Sequence, residues 1–180
     1  AALLVDGAVA VLGYAQTFYM LPISLFGISV AASELPELSR MRGEEYEVLA
    51  SRVSAALRRV SFFVIPSAAV YLVLGDVVVA AVFQTGAFGS VETLVTWGVL
   101  SAYAIGLPAS ASSRVLSSAF YALRDTKTPA KIAYIRIVVS IVIGLLLMIP
   151  LDNLGFVQLR LGASGLALGA SAGAWLEYVL

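Results

Sequence analysis

Arg114-Val115-Leu116-Ser117-Ser118-Ala119-Phe120-Tyr121-Ala122-Leu123-Arg124-Asp125-Thr126-Lys127-Thr128-Pro129 decides how the rest of this sequence reads. A cation stands inside an apolar helical run, the run leaves through an aromatic pair, a short turn carries two more cations, and a second apolar run restarts at a proline. A water-soluble domain has little use for that order. In a bilayer it describes a crossing helix that ends at the cytoplasmic surface. Its internal charge must then face protein or water, because an arginine against hydrocarbon is costly.

Composition agrees. Hydrophobic residues make up 61% and charged residues 12% of 180 positions, against roughly 45–50% and about 25% in soluble domains. The net charge is zero, but the charges fall in blocks, so their position matters more than their sum. Nothing points to nucleic acid. The chain has no cysteine and no histidine, which removes disulfides, thiolate chemistry, the usual general base and the commonest metal ligands. No cofactor or metal site is expected, and an enzyme is disfavoured. The apolar residues at both ends suggest an internal piece of a longer membrane protein.

Working outward, hydropathy predicts an all-α, polytopic membrane helix bundle of about five transmembrane helices plus short interfacial helices. The spans fall at about 8–33, 60–75, 92–123, 129–149 and 162–180, since about 20 apolar residues cross the hydrocarbon. Interfacial helices are expected at about 44–58 and 76–83, the second divided from its span by Gly75-Asp76. Pro22 predicts a kink near Leu21, its freed carbonyl satisfied by Gln16, Thr17 or a neighbouring helix. Thr128 reads as an N-cap with Pro129 at the first helical position. The small tract Ala109-Ser110-Ala111-Ser112-Ser113 and the row Gly165, Gly169, Gly173 read as packing faces. Tyr71, Tyr103, Tyr121 and Trp97 read as interface anchors.

Orientation follows from basic residues. The segment 34–59 carries Arg40, Arg42, Arg52, Arg58 and Arg59, and 124–131 carries Arg124, Lys127 and Lys131, whereas 84–91 carries none and 150–160 only Arg160. Both basic loops are therefore expected in the cytoplasm and the protein in the cytoplasmic membrane. Arg136 is expected to snorkel to the cytoplasmic headgroups, where membrane lipids are its partners.

Several motifs resemble one family over nearly the whole chain. They are Gly13-Tyr14-Ala15 through Leu21-Pro22, Leu25-Phe26-Gly27-Ile28-Ser29-Val30, Leu35-Pro36-Glu37-Leu38-Ser39-Arg40, Phe83-Gln84-Thr85-Gly86-Ala87-Phe88, and Phe120-Tyr121-Ala122 followed by Asp125-Thr126-Lys127-Thr128-Pro129. The family is MviN/MurJ, the lipid II flippases of the MOP exporter superfamily. The resemblance implies part of the second lobe of a fourteen-helix protein around a central cavity. Its partner would be a lipid-linked peptidoglycan precursor, moved by alternating access for cell-wall synthesis. At Gln16-Thr17 the sequence departs from the family, which usually has an acidic residue followed by arginine there. Glu34 also replaces a commoner aliphatic residue.

Arg114, Tyr14, Gln16 and Thr17 are the substrate-cavity candidates. Glu34, Glu37, Arg124 and Lys127 are the cytoplasmic gate candidates, the acids pairing with the cations across the mouth in the outward-facing state. Set against these roles are a structural ion pair for Arg114, an interfacial charge cluster for Glu34, Glu37 and Arg40, and a positive-inside turn for 124–131. Three other functions stay open. One is export of another lipid-linked oligosaccharide, the second is a membrane enzyme on the same lipids, and the third is a non-transporting scaffold.

Overall fold

The computed structural model describes residues 8–41, 46–86, 88–153 and 162–180, with only the backbone of Ala8, Ile149, Asp152 and Asn153. Arg42, the start of the expected 44–58 helix, and Arg160 lie outside the described residues. The elements are α1 (Ala8–Pro22), a π-helical segment (Ile23–Ile28), α2 (Ser29–Arg40), α3 (Tyr46–Phe83), α4 (Ser90–Ala122), α5 (Lys127–Asn153) and α6 (Gly162–Val179). The fold is an all-α membrane bundle. Among the described residues, four helical stretches are long and apolar enough to cross a bilayer: Val9–Arg40, Tyr46–Phe83, Ser90–Ala122 and Lys127–Met148. The remaining helix, α6, has 18 residues, many of them Gly, Ala or Ser.

Pro22 has no N–H to give to Phe18, four residues earlier. The Tyr71 hydroxyl of α3 donates to that carbonyl at 2.9 Å. A neighbouring helix therefore satisfies it, not Gln16 or Thr17. The chain absorbs the irregularity as a π turn and runs on into α2. Gly27 lies in this turn, where an added Cβ would stand 3.2 Å from the Cα of Ala111 on α4.

The expected helices at 44–58, 60–75 and 76–83 form one continuous helix over Tyr46–Phe83. No proline or glycine interrupts 46–65, so nothing turns the basic segment into the headgroup plane. Its buried residues Ala56, Val60, Val64, Ala68, Tyr71, Gly75 and Val79 recur every three or four positions, one unbroken stripe against α4. Gly75 does not break the helix; it admits the Trp97 indole, whose Cδ1 would lie 2.5 Å from an added Cβ. The same indole N–H donates to the Tyr71 carbonyl at 3.2 Å. Tyr71 is thus buried in the bundle, and Trp97, half-buried, packs into α3.

α4 is the central helix, in contact with α1, the π segment, α2, α3 and α6. All five residues of the tract 109–113 are buried, as its small side chains predict. α6 lies between α4 and α5. An added Cβ on Gly165 would stand 2.8 Å from the Leu147 carbonyl carbon, and one on Gly169 2.6 Å from the Ser140 oxygen. The glycine row is therefore the packing face against α5. On the α4 side, Ser171 Oγ donates to the Ala102 carbonyl at 2.6 Å and Trp175 Nε1 to Ile105 at 2.9 Å. These donors arrive just before Pro108, where the α4 ladder loses an N–H.

The turn into α5 differs in detail from its sequence reading. α5 starts at Lys127, and the Asp125 carboxylate, not Thr128, accepts the Lys127 and Thr128 N–H groups, each at 3.0 Å. Pro129 is then the third helical residue, still within the turn whose N–H groups need no helical acceptor.

Candidate functional site

The site lies where α2, α4, α5 and α6 come together near the α4–α5 turn. A groove of about 410 Å³ is lined by Ala31 and Leu35 of α2, Arg114, Ser117 and Tyr121 of α4, and Glu177 of α6. Arg114 is eight residues from the end of α4, about 12 Å at 1.5 Å per residue. It is exposed on the groove and has no ion pair among the described residues. Serine hydroxyls, a tyrosine and a carboxylate share the groove with it.

Arg136 does not snorkel away. It is ion-paired with Glu177, with side chains only 25% and 13% exposed. This reflects geometry: α6 is clasped to α5 by its glycines, which brings the α6 carboxylate within reach before the headgroups are. Glu177 also lines a neighbouring cavity of about 230 Å³ with Ser113 and Ser117. One turn along α4 from Arg114, Ser110 shares a 2.5 Å hydrogen bond with the Tyr19 hydroxyl, and Tyr19 stacks on Tyr103 with ring centroids 5.0 Å apart. Tyr103 is half-buried against the core.

The other candidates from α1 are placed differently. Tyr14 packs against Phe83 and Phe88, with centroids 4.6 and 5.5 Å away, in an aromatic cluster distant in sequence from the groove residues. Gln16 and Thr17 are exposed, and Thr17 Oγ1 donates back to the Gly13 carbonyl at 2.9 Å. None of the three is among the groove's lining residues. Tyr19 is the α1 residue that bonds to α4, through Ser110 one turn from Arg114. Sequence groups it with its polar neighbours without distinguishing it, and helical phase relative to α4 is what sets it apart.

Glu34 is buried and accepts Arg52 Nε at 2.8 Å and Arg59 at 3.3 Å. Glu37 meets Arg40 at 3.2 Å and Arg52 at 3.8 Å. In this conformation neither acid pairs with Arg124 or Lys127. Arg52 and Arg59 are seven residues apart, hence on one face of α3, and reach Glu34 first. Arg124 occupies the left-handed region with φ 61° at the end of α4. Beside it, hydrogen bonds from the Thr128 side chain and backbone, helped by Lys127, hold the Asp125 carboxyl below the usual carboxylate range.

Phenol, hydroxyl, guanidinium and carboxylate groups at the end of an apolar groove can bind an anionic headgroup whose chain stays in lipid. The profile of the family described as lipid II flippase MurJ matches residues 1–180. A probable lipid II flippase MurJ from Rhizobium meliloti is 33% identical over 97% of this chain and 31% of its own length. One from Rickettsia prowazekii is 31% identical over 95% of the chain and 32% of its own length. A solved structure of lipid II flippase MurJ in an inward closed conformation superposes with a TM-score of 0.77 at 29% identity, covering 96% of this chain and 34% of that one. The chain spans about a third of the length of these relatives. On the strength of that match along its full length, the chain belongs to the lipid II flippase MurJ family of membrane proteins.

Proposed function

We propose that this chain supplies part of the cavity wall of a flippase that carries undecaprenyl-pyrophosphate-linked peptidoglycan precursor, lipid II, across the cytoplasmic membrane by alternating access. The observation that supports this most is Arg114, a cation without an ion pair among the described residues, on a groove about 12 Å inside its helix end. A guanidinium binds phosphate oxygens in charge-assisted, bidentate fashion. No covalent bond changes; the headgroup shifts the balance between two lobe arrangements.

In this reading loops 34–59 and 124–131 face the cytoplasm. Arg124 and Lys127 lie in the turn between the groove residues Tyr121 and Pro129, and Glu34 and Glu37 meet them only after the Glu34 clamp on Arg52 and Arg59 opens. Thr17, Met20, Ser24 and Ile28 form one exposed stripe on α1 and the π segment, and Ile28 lines the groove. That stripe supports reading Thr17, with its exposed neighbour Gln16, as part of the cavity wall.

The test is Arg114→Ala in the intact protein, read by complementation of flippase-depleted cells and by membrane abundance. Transport is expected to fall at least about tenfold, the loss of one charge-assisted contact, with abundance unchanged. A parallel loss of both would assign Arg114 a structural role and remove the reading.

A further inference from the structure

Glu177 is the acidic side chain shared by the groove and the cavity behind it. It is engaged by Arg136, while Arg114 faces the same groove without an ion pair among the described residues. Arg114 lies eight residues before the end of α4 and Arg136 nine after the start of α5, so by helix rise the two cations stand about 12 and 14 Å from the connecting turn. Two arginines thus sit at similar depths, one ion-paired with Glu177 and the other on the groove that Glu177 also lines. In the cavity that Glu177 also lines, Ser113 is 3% exposed, with an Oγ that has no hydrogen-bond partner among the described residues. That hydroxyl can receive a displaced carboxylate.

We propose that Glu177 is a built-in substitute for the ligand's anion: it holds Arg136 while the groove is empty, and a phosphate-bearing lipid headgroup bridging Arg114 and Arg136 displaces it toward Ser113. The inference rests on the reading of the groove as the precursor's headgroup site. Glu177 is then a positioning residue that sets both release and selectivity. With Glu177 in place, a ligand must outcompete an internal carboxylate, which a multiply charged pyrophosphate does and a singly charged phosphodiester does not. Without it, two uncompensated guanidiniums would hold any phosphate and let it go slowly.

The experiment uses the intact purified protein in detergent, with native mass spectrometry measuring retention of a polyprenyl pyrophosphate lipid and of phosphatidylglycerol per folded molecule. Glu177→Gln is expected to raise retention of the pyrophosphate lipid about tenfold, as one opposing charge at short range is removed, and to narrow its advantage over phosphatidylglycerol. Arg136→Gln should lower retention about tenfold, and the double variant should recover most of that loss. Wild-type retention and discrimination in folded Glu177→Gln and Arg136→Gln overturn the proposal. So does equal retention of both lipids by the wild type, which would make this a site for bulk phospholipid. Should Glu177→Gln not fold, the step from Arg136→Gln to the double variant decides, and no recovery there overturns it. An Arg114→Gln variant run alongside separates the two ideas. If it retains the pyrophosphate lipid normally, the headgroup-site reading fails; if it alone loses the lipid, only the Glu177 proposal fails.

Discussion

At the scale of the residue, several polar side chains act through helix backbones rather than through one another. Tyr71 shows this well: its hydroxyl restores the acceptor that Pro22 leaves open at Phe18, and its own carbonyl receives the Trp97 indole. Tyr71→Phe keeps the ring contact with Phe18 and removes only the hydroxyl. It should cost about 1 kcal/mol, the usual net worth of one such bond, seen as a lower melting temperature in detergent. No shift would mean that water or the π turn satisfies Phe18 equally well. Glu34 makes the complementary point. Beside Glu37 and Arg40 it reads as part of an interfacial charge cluster, yet two arginines of α3 allow it to be buried.

At the scale of the element, close approach and capping decide where helices lie. Gly169 lets α6 touch the α5 backbone at Ser140, so Gly169→Leu must push the two helices apart. The expected loss is about 3 kcal/mol, toward the upper end of overpacking costs, measured by thermal unfolding; the same substitution at Gly13, where nothing lies within 4 Å of an added Cβ, should be nearly neutral. The start of α5 is held by Asp125, whose carboxyl is kept below the usual range by the Thr128 and Lys127 bonds. Because the folded value is depressed, the cap is fully present above the ordinary carboxylate range, about 4. It is lost as pH falls through the lower folded value. Amide protection at Lys127 and Thr128 should therefore drop on the acid side of about pH 4, and Asp125→Asn should abolish that step. Protection that ignores pH in the unaltered protein would show that the cap does not depend on charge.

At the scale of the whole molecule, the groove and the open stripe of α1 are either one cavity or two. If they are one, a cation added at Thr17 joins the electrostatic field that Arg114 provides. Thr17→Arg should then raise retention of a polyprenyl pyrophosphate lipid several-fold in the intact protein; unchanged retention in folded protein would separate the two surfaces. The distribution of charge and hydropathy along the chain determined the membrane class, the helical fold, the packing role of the small residues at 109–113 and 165–173, and the place of Arg114 inside a helix. These follow from local costs, since hydrocarbon forces each segment to satisfy its own backbone and glycine permits close contact wherever it falls. Which partner each polar group finds was decided only in three dimensions. The continuity of α3 through Gly75 depends on Trp97, 22 residues away in sequence; the choice of Tyr19 over Tyr14 depends on the phase of α1 against α4. The Arg136–Glu177 pair depends on α6 lying between α4 and α5. Each is a long-range juxtaposition, and helical periodicity specifies only which face a residue occupies, never what stands opposite it.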